Sequence, residues 1–587
     1  MSKVLKGIIV IISIVILVLF YKTFLIKEKP NIILISIDTL RQDHVGVYGY
    51  ERNTTPVLDK IASEGVVFKN SYSTAPWTLP SHMSMFTGLP PSVHKVDIDN
   101  RILGEDVALF TEVLSENGYR TGGFFSALYL KPVYGFSRGF DKYINQIKKH
   151  SDEITDKGIN WIEINKNDNF FIFFHYFDVH WPYRPPEDIA PKFGVDVSMK
   201  KWFKFGKLSY LRNFSDPNIK MSKDVRKKMI NLYDGEIFRV DRSIGRLIEY
   251  LKKEDIYDST IIIITSDHGE EFKEHDSFGH FHQLYSELIN VPLIIRFPEK
   301  FPKNQYINSP VSSIDIASTI LHLVSVKVPA QFEKHGKNLL DLTKRNGNVN
   351  KSNRREIISE TKKGGTHHFA FLKNGYKYIT QYKYRPLIKK KRWIRVNDKF
   401  FNSLDDRPEE YDLLKRPLYS QDQQKVLDSM KMKISQYVKN NIPGIKISFF
   451  SSDDQKKSNL AGTLKFSFTP EELPFGVNLG PGDDLTNDQK ANLFDFKLEV
   501  KNDKKEIIFP YINKLHGNKT LTILVNAEGN FLFKKTIDLN ELYKPFLVYK
   551  NSKLSIYISK EGEFFKSKKV NLSEKDKKAL RTLGYIN

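Results

Sequence analysis

The 587-residue chain contains no cysteine. That absence excludes disulfides, zinc–thiolate sites and a cysteine nucleophile, whatever compartment the protein works in. Also missing are any helix-turn-helix, zinc-finger or RNP-type pattern and any internal repeat at a solenoid period. The net charge of +22 therefore comes without a nucleic-acid motif, and no nucleic-acid partner is expected. Its lysines are spread along the whole length, which suits an anionic membrane or a polyanionic substrate equally well. What the chain does have is 40% hydrophobic residues, 13% aromatic and 27% charged, enough to bury a large core. Its length predicts more than one folded unit.

The stretch Gly7 to Tyr21 is apolar apart from Ser13 and is bracketed by Lys6 and Lys22. With its flanks it reaches the roughly twenty residues that span a bilayer. No small-x-small cleavage site follows, so residues 1–29 read as an uncleaved single-pass membrane anchor. The lysines on either side do not settle its orientation, and the catalytic part is placed outside the cytoplasm.

Four runs, 31–37, 170–174, 260–266 and 291–296, are continuous β-branched or aromatic segments without alternation. Such runs are strands covered on both faces, the mark of a mainly parallel sheet. Helical patterns lie between them at Pro56–Glu64, Leu109–Asn117 and Val225–Lys253. The alternation predicts a doubly wound α/β fold over residues 30–440. Past 440 the segments Thr463–Phe468, Phe496–Val500, Thr520–Leu524 and Leu554–Ile558 alternate between polar and apolar, which predicts a β-rich accessory domain over 441–570. A short C-terminal helix is expected in 571–587, around Ala579–Tyr585, and the basic run Lys389–Arg395 reads as a solvated loop.

The first three runs end in residues capable of chemistry: Asp38, then Asp178 and His180, then Asp267 and His268. In a doubly wound fold these cluster at the C-terminal edge of the sheet, where carboxylates and imidazole make a divalent metal site possible. An aspartate after a strand is, taken singly, as often a helix N-cap. Thr78, in Ala75-Pro-Trp-Thr-Leu-Pro-Ser-His82, is a poor nucleophile until a metal or base lowers its pKa, and it reads equally as a helix start.

The stretch Ile35–Leu89 resembles the N-terminal core of the sulfatase family, in the alkaline phosphatase superfamily. The resemblance continues through Phe177–Tyr183, Tyr233–Ile237, Thr265–Glu270, Gly279-His280 and Ser313–Ala317, and it spans most of residues 30–420. It implies an alkaline-phosphatase-like fold and one divalent metal ion held by Asp38, Asp267, His268 and the nucleophile Thr78. It also implies that His180 faces the substrate oxyanion or the leaving group, with His82, Asp178, His280 and Arg41 on the substrate side.

The family pattern breaks at the nucleophile. Sulfatases carry Cys or Ser inside C/S-x-P-S/A-R and convert it to formylglycine, whereas this chain has Thr78 and, at the arginine position, His82. No formylglycine is expected. Threonine is what the phosphate-handling relatives use, through a phosphothreonine. Thr39 replaces a second carboxylate and His268 adds a nitrogen donor, a change that leans from calcium towards manganese or zinc. The expected activity is hydrolysis or transfer of a phosphate-type ester on a lipid, glycan or small molecule. The alternatives are a true sulfatase and an inactive anion- or glycan-binding membrane protein.

Overall fold

The computed structural model describes residues 29–97 and 101–441, apart from 148, 198–213, 215, 217, 281–282, 344–354, 364–365, 387–390, 404–408 and 416–419; beyond 443 it describes strands and a few residues near 573–577. The expected anchor segment Gly7–Tyr21 and the expected closing helix Ala579–Tyr585 lie outside these residues. Among the described residues no helix is long and apolar enough to cross a membrane.

The central sheet has eight strands: β1 Asn31–Ile37, β2 Val66–Phe68, β3 Arg120–Phe125, β4 Lys142–Asn145, β5 Phe170–Tyr176, β6 Thr260–Thr265, β7 Leu293–Arg296 and β8 Gln305–Ile307, in the order β8-β2-β7-β6-β1-β5-β3-β4. From β6 to β4 the neighbours are parallel. Composition groups the run at 291–296 with these parallel strands, but β7 runs antiparallel to both β6 and β2. Among the described residues the link from β6 to β7 carries a short two-stranded ribbon, Glu271–Phe272 with Phe278–Gly279, and the four-residue helix Ser286–Ile289, whereas a parallel return would need a crossover to the far end of the sheet.

Absence of alternation in the strand runs has the expected cause. Ile32 and Leu34 of β1, Phe171 and Phe173 of β5, and Ile261 and Ile263 of β6 enter one core. Their neighbours enter the other: Ile33 and Ile35, Phe170, Ile172 and Phe174, and Ile262 and Ile264. Each strand thus feeds both faces, so no position along it can be polar without cost.

The helices that cover the two sheets include α1 Pro56–Ser63, α2 Thr78–Thr87, α3 Phe110–Glu116, α4 Ser151–Asn165, α5 Lys223–Lys253, α6 Asp315–Leu323, α7 Ala330–His335 and α8 Gln421–Asn441. Leu79, Met83 and Phe86 of α2 and Ile316 and Ile320 of α6 pack on the first core. Leu58 and Ile61 of α1, Ile154 and Ile162 of α4, and Leu232, Ile244 and Leu247 of α5 cover the second.

The second sheet is antiparallel and begins with β9 Ile357–Lys363, β10 Thr366–Lys373, β11 Tyr376–Pro386 and β12 Lys391–Asn402. Phe369, Phe371, Tyr378 and Phe400 on one face pack against Leu427, Met430 and Ile434 of α8. The basic run expected as a loop instead enters β12 from Lys391, because Arg385 and Pro386 of the neighbouring strand pair with Arg392 and Lys391. The alternating segments beyond 440 form strands, among them Ser458–Phe466, Leu493–Val500, Thr520–Ala527 and Leu554–Glu561. At its start β12 pairs with Asp484–Asn487, so one nine-stranded sheet joins strands from either side of residue 440.

Candidate active site at the strand ends

β1, β5 and β6 are adjacent and in register, Ser36 lying opposite both His175 and Thr265. The residues after each strand must therefore emerge at one edge of the sheet. Asp38 leaves β1 there, its N–H donating to the carbonyl of Tyr176 at 2.9 Å. Thr39 turns the chain with φ 56°, a left-handed value that a β-branched residue rarely adopts. Its N–H donates to Asp267 Oδ1 at 3.3 Å and its hydroxyl to the Val179 carbonyl at 2.9 Å, so its side chain braces backbone.

Asp267 and His268 follow β6. The next residue must be glycine: a Cβ on Gly269 would stand 1.9 Å from the carbonyl oxygen of Glu287. His268 Nδ1 faces the Gly269 carbonyl at 2.9 Å, and a carbonyl only accepts, so the proton sits on Nδ1 and the lone pair on Nε2. That Nε2 lies 3.4 Å from Thr78 Oγ1, 3.3 Å from Asp267 Oδ2 and 3.7 Å from Asp38 Oδ1. Thr78 is the first residue of α2, buried, with Trp77 before it in extended conformation. One turn on, His82 Nδ1 meets the Thr78 carbonyl at 3.0 Å and its Nε2 meets Ser36 Oγ at 2.9 Å.

All of these groups are buried, and burial governs their electrostatics. Reinforced by the charges of Asp267 and Glu270, it pushes the Asp38 carboxyl well above its ordinary range. Burial also raises Asp267 to about 6 and lowers His268 to about 4. Among the described residues, both oxygens of Asp38 and Oδ2 of Asp267 have no hydrogen-bond partner. No lysine or arginine pairs with either carboxylate among the described residues. Buried carboxylates left in this state are costly unless a cation joins them. Asp38, Asp267 and His268 offer ligand atoms within 4.8 Å of one another. The donor set of hard oxygens and one imidazole nitrogen fits a divalent metal ion.

His180 and His280 stand at the rim. The His180 ring stacks on Phe177 at 4.3 Å and meets His280 edge-on at 5.1 Å. Its Nδ1 faces the Trp181 carbonyl, and burial followed by the neighbouring His280 lowers its pKa to about 3. His280 lies 4.4 Å from the His268 ring, its Nδ1 held by Glu270 Oε1 at 2.8 Å.

Three residues expected on the substrate side are engaged elsewhere: His82 with the Thr78 carbonyl and the Ser36 hydroxyl, as above, and two more. Asp178 accepts from the Ser151 N–H and from His150 Nδ1, both at 2.9 Å, and so caps the start of α4. Arg41 makes a two-pronged pair with Asp43 and donates to Glu274 at 2.7 Å and to the Glu270 carbonyl at 3.1 Å. It holds the loop after His268 in place. Two residues join the site that the strand-end pattern does not reach. His175 is fully buried, both ring nitrogens lacking a hydrogen-bond partner among the described residues, Nε2 standing 3.2 Å from Asp38 Oδ2; its sequence signal is a single polar residue in an apolar strand. Glu270 bridges His280 and the Tyr183 hydroxyl, and only its place in the Asp-His-Gly-Glu segment marks it.

The sulfatase family profile matches residues 30–326, and the profile described as N-sulphoglucosamine sulphohydrolase, C-terminal, matches residues 274–437. The chain belongs to the sulfatase family and is a sulfatase-like ester hydrolase. It is 24% identical to a sulfatase of Formosa agariphila, over 60% of this chain and 79% of that protein. It is 23% identical to an N-acetylglucosamine-6-O-sulfatase of Bacteroides thetaiotaomicron, over 73% of this chain and 90% of that one. Among solved structures the fold is similar to that of a phosphonate monoester hydrolase of Agrobacterium radiobacter, with TM-score 0.56, 16% identity and coverage of 70% and 96%. It is likewise similar to a protein solved with its substrate D-glucosamine-2-N,6-O-disulfate, with TM-score 0.55, 20% identity and coverage of 70% and 98%.

Proposed function

We propose that the chain cleaves a phosphate-type ester through Thr78, transferring the group to water or to an acceptor hydroxyl. The observation that supports this is the Thr78 hydroxyl 3.4 Å from His268 Nε2, beside carboxylate oxygens that have no hydrogen-bond partner among the described residues. Asp38, Asp267, His268 and Thr78 would hold one divalent ion, manganese or zinc before calcium, which lowers the hydroxyl pKa and offsets charge on the reacting group. Thr78 Oγ1 gives its proton to solvent and attacks phosphorus; the Oγ1–phosphorus bond forms, the bond from phosphorus to the ester oxygen breaks, and that oxygen leaves, taking a proton from solvent. Water or an alcohol then attacks the phosphothreonine, the Oγ1–phosphorus bond breaks, and threonine is restored.

His180 suits the second step. With the Nδ1 proton directed at the Trp181 carbonyl, the Nε2 lone pair is the basic position, and a pKa of about 3 keeps the ring neutral near pH 7. The neutral ring has no Nε2 proton for the leaving group, and Nε2 is open to accept one, as a weak base, from the incoming hydroxyl.

A second reading, sulfate-ester hydrolysis, is favoured by the names of the relatives, which are sulfatases. A threonine ester lacks the second hydroxyl by which a formylglycine hydrate expels sulfate, so under this reading water must attack the Thr78 sulfate directly. The full chain, loaded with manganese, zinc or calcium in turn, is assayed on aryl sulfate, phosphate monoester, phosphodiester and phosphonate. Phosphoester turnover lost in Thr78→Ala, with a phosphorylated Thr78 peptide trapped in the wild type, supports the first reading. Turnover of sulfate alone, equally dependent on Thr78, supports the second, and activity that survives Thr78→Ala sinks both. We infer further that residues 1–29 anchor the chain with its catalytic part outside the cytoplasm; release of the full chain by alkaline carbonate would overturn this.

A further inference from the structure

A cavity of about 420 Å³ lies behind the nucleophile helix, bounded by Thr74 before α2, Pro90 after it, and residues of α7, β9 and α8. None of its walls belongs to the Thr78 centre. Among the described residues, Lys334, Lys337, Arg355 and Lys433 line it against one lining carboxylate, Glu356. Arg355 is held in place by two bonds to buried Asp315, at 2.5 and 2.6 Å. Glu356 stands 3.0 Å from Lys373 and 3.6 Å from Lys433, one carboxylate between two ammonium groups. Cations in a concave site raise the local concentration of anions more than the same charges on a convex surface.

His335, also in the wall, has its pKa lowered to about 4 by burial and then by the charges of Lys334 and Lys337. The second of these causes, the two lysine charges, is one that a bound anion would offset.

We propose that this cavity is a binding site for a tetrahedral oxyanion, a sulfate or phosphate group, held by Lys334, Lys337 and Lys433. Because Thr74 and Pro90 flank α2, an occupied site braces the helix that presents Thr78. The site stands apart from the proposed catalytic reading and is tested without turnover.

Equilibrium dialysis with radiolabelled sulfate is done on the full chain carrying Asp38→Ala and Asp267→Ala, which disable the Thr78 centre, and again with Lys334→Gln and Lys337→Gln added. Both lysines are exposed, so the fold is expected to hold; the thermal midpoint checks this. The expected result is one sulfate retained per chain and a weakening of at least about tenfold in the lysine variant. Sulfate binding absent from the first protein, or unchanged in the second, overturns the proposal. A sulfated oligosaccharide that displaces the label well below the concentration needed by free sulfate identifies the anion as a substituent of a larger substrate; displacement by free sulfate and phosphate alone identifies a free ion. Either pattern supports the oxyanion site.

Discussion

Thr78 offers one hydroxyl on a β-branched carbon, and that limits the chemistry open to the site. Thr78→Ser keeps the oxygen and should retain measurable turnover, while Thr78→Ala should lose about a thousandfold or more in kcat. Asp267 allows a test independent of substrate. Its pKa rises from an ordinary 3.8 to about 6 on burial, so the metal-free fold favours the protonated acid. The sign is that of a raised carboxyl: stability is fully present below about 4 and is lost as pH climbs through 6, by about 3 kcal/mol in all. Asp267→Asn should therefore be more stable than the metal-free wild type at pH 7 while losing bound metal; urea unfolding and metal analysis read both. Greater stability of the metal-free wild type would contradict the account. Thr78, Asp38 and Asp267 were legible because each ends or follows a recognisable segment. His175 was not, since nothing in an apolar run says which of its two faces a histidine will occupy.

At the level of elements, Asp178 and Gly269 divide structural from chemical roles. Asp178 receives the Ser151 N–H at the start of α4, so Asp178→Ala should cost about 1–2 kcal/mol of stability, as loss of a cap does. Turnover of a small ester by the folded variant should stay near the wild-type value; a large loss of kcat would restore Asp178 to the substrate side. Gly269 is constrained from outside its own loop, by the Glu287 carbonyl 1.9 Å from where a Cβ would stand. Gly269→Ala must move the backbone that carries His268, and metal affinity should fall along with stability. Isothermal titration of metal into the folded variant measures this. The strands were readable because burial on both faces leaves a continuous apolar run. The direction of β7 was not, since an antiparallel strand buried on both faces has the same composition.

For the molecule as a whole, the two sheets are tied by a buried ion pair. Lys377 of β11 and Glu409 stand 2.9 Å apart, both inaccessible to solvent, and Glu409 also accepts from the hydroxyl and N–H of Ser286 on the link to β7. Removing one partner leaves a buried charge, so Lys377→Met should cost about 3–5 kcal/mol. Adding Glu409→Leu should return much of that loss, and a double-mutant cycle in urea measures the coupling. The local order of residues was enough to set the fold class, the three strands that deliver the candidate ligands and the position of Thr78, because two-sided burial and strand-end placement leave local marks. Long-range packing was needed to make Asp178 a helix cap, to turn Arg41 into the brace of a loop and to bring His175 to Asp38. Those outcomes depend on which partner arrives from a distant part of the chain, and a polar side chain carries no local sign of its partner.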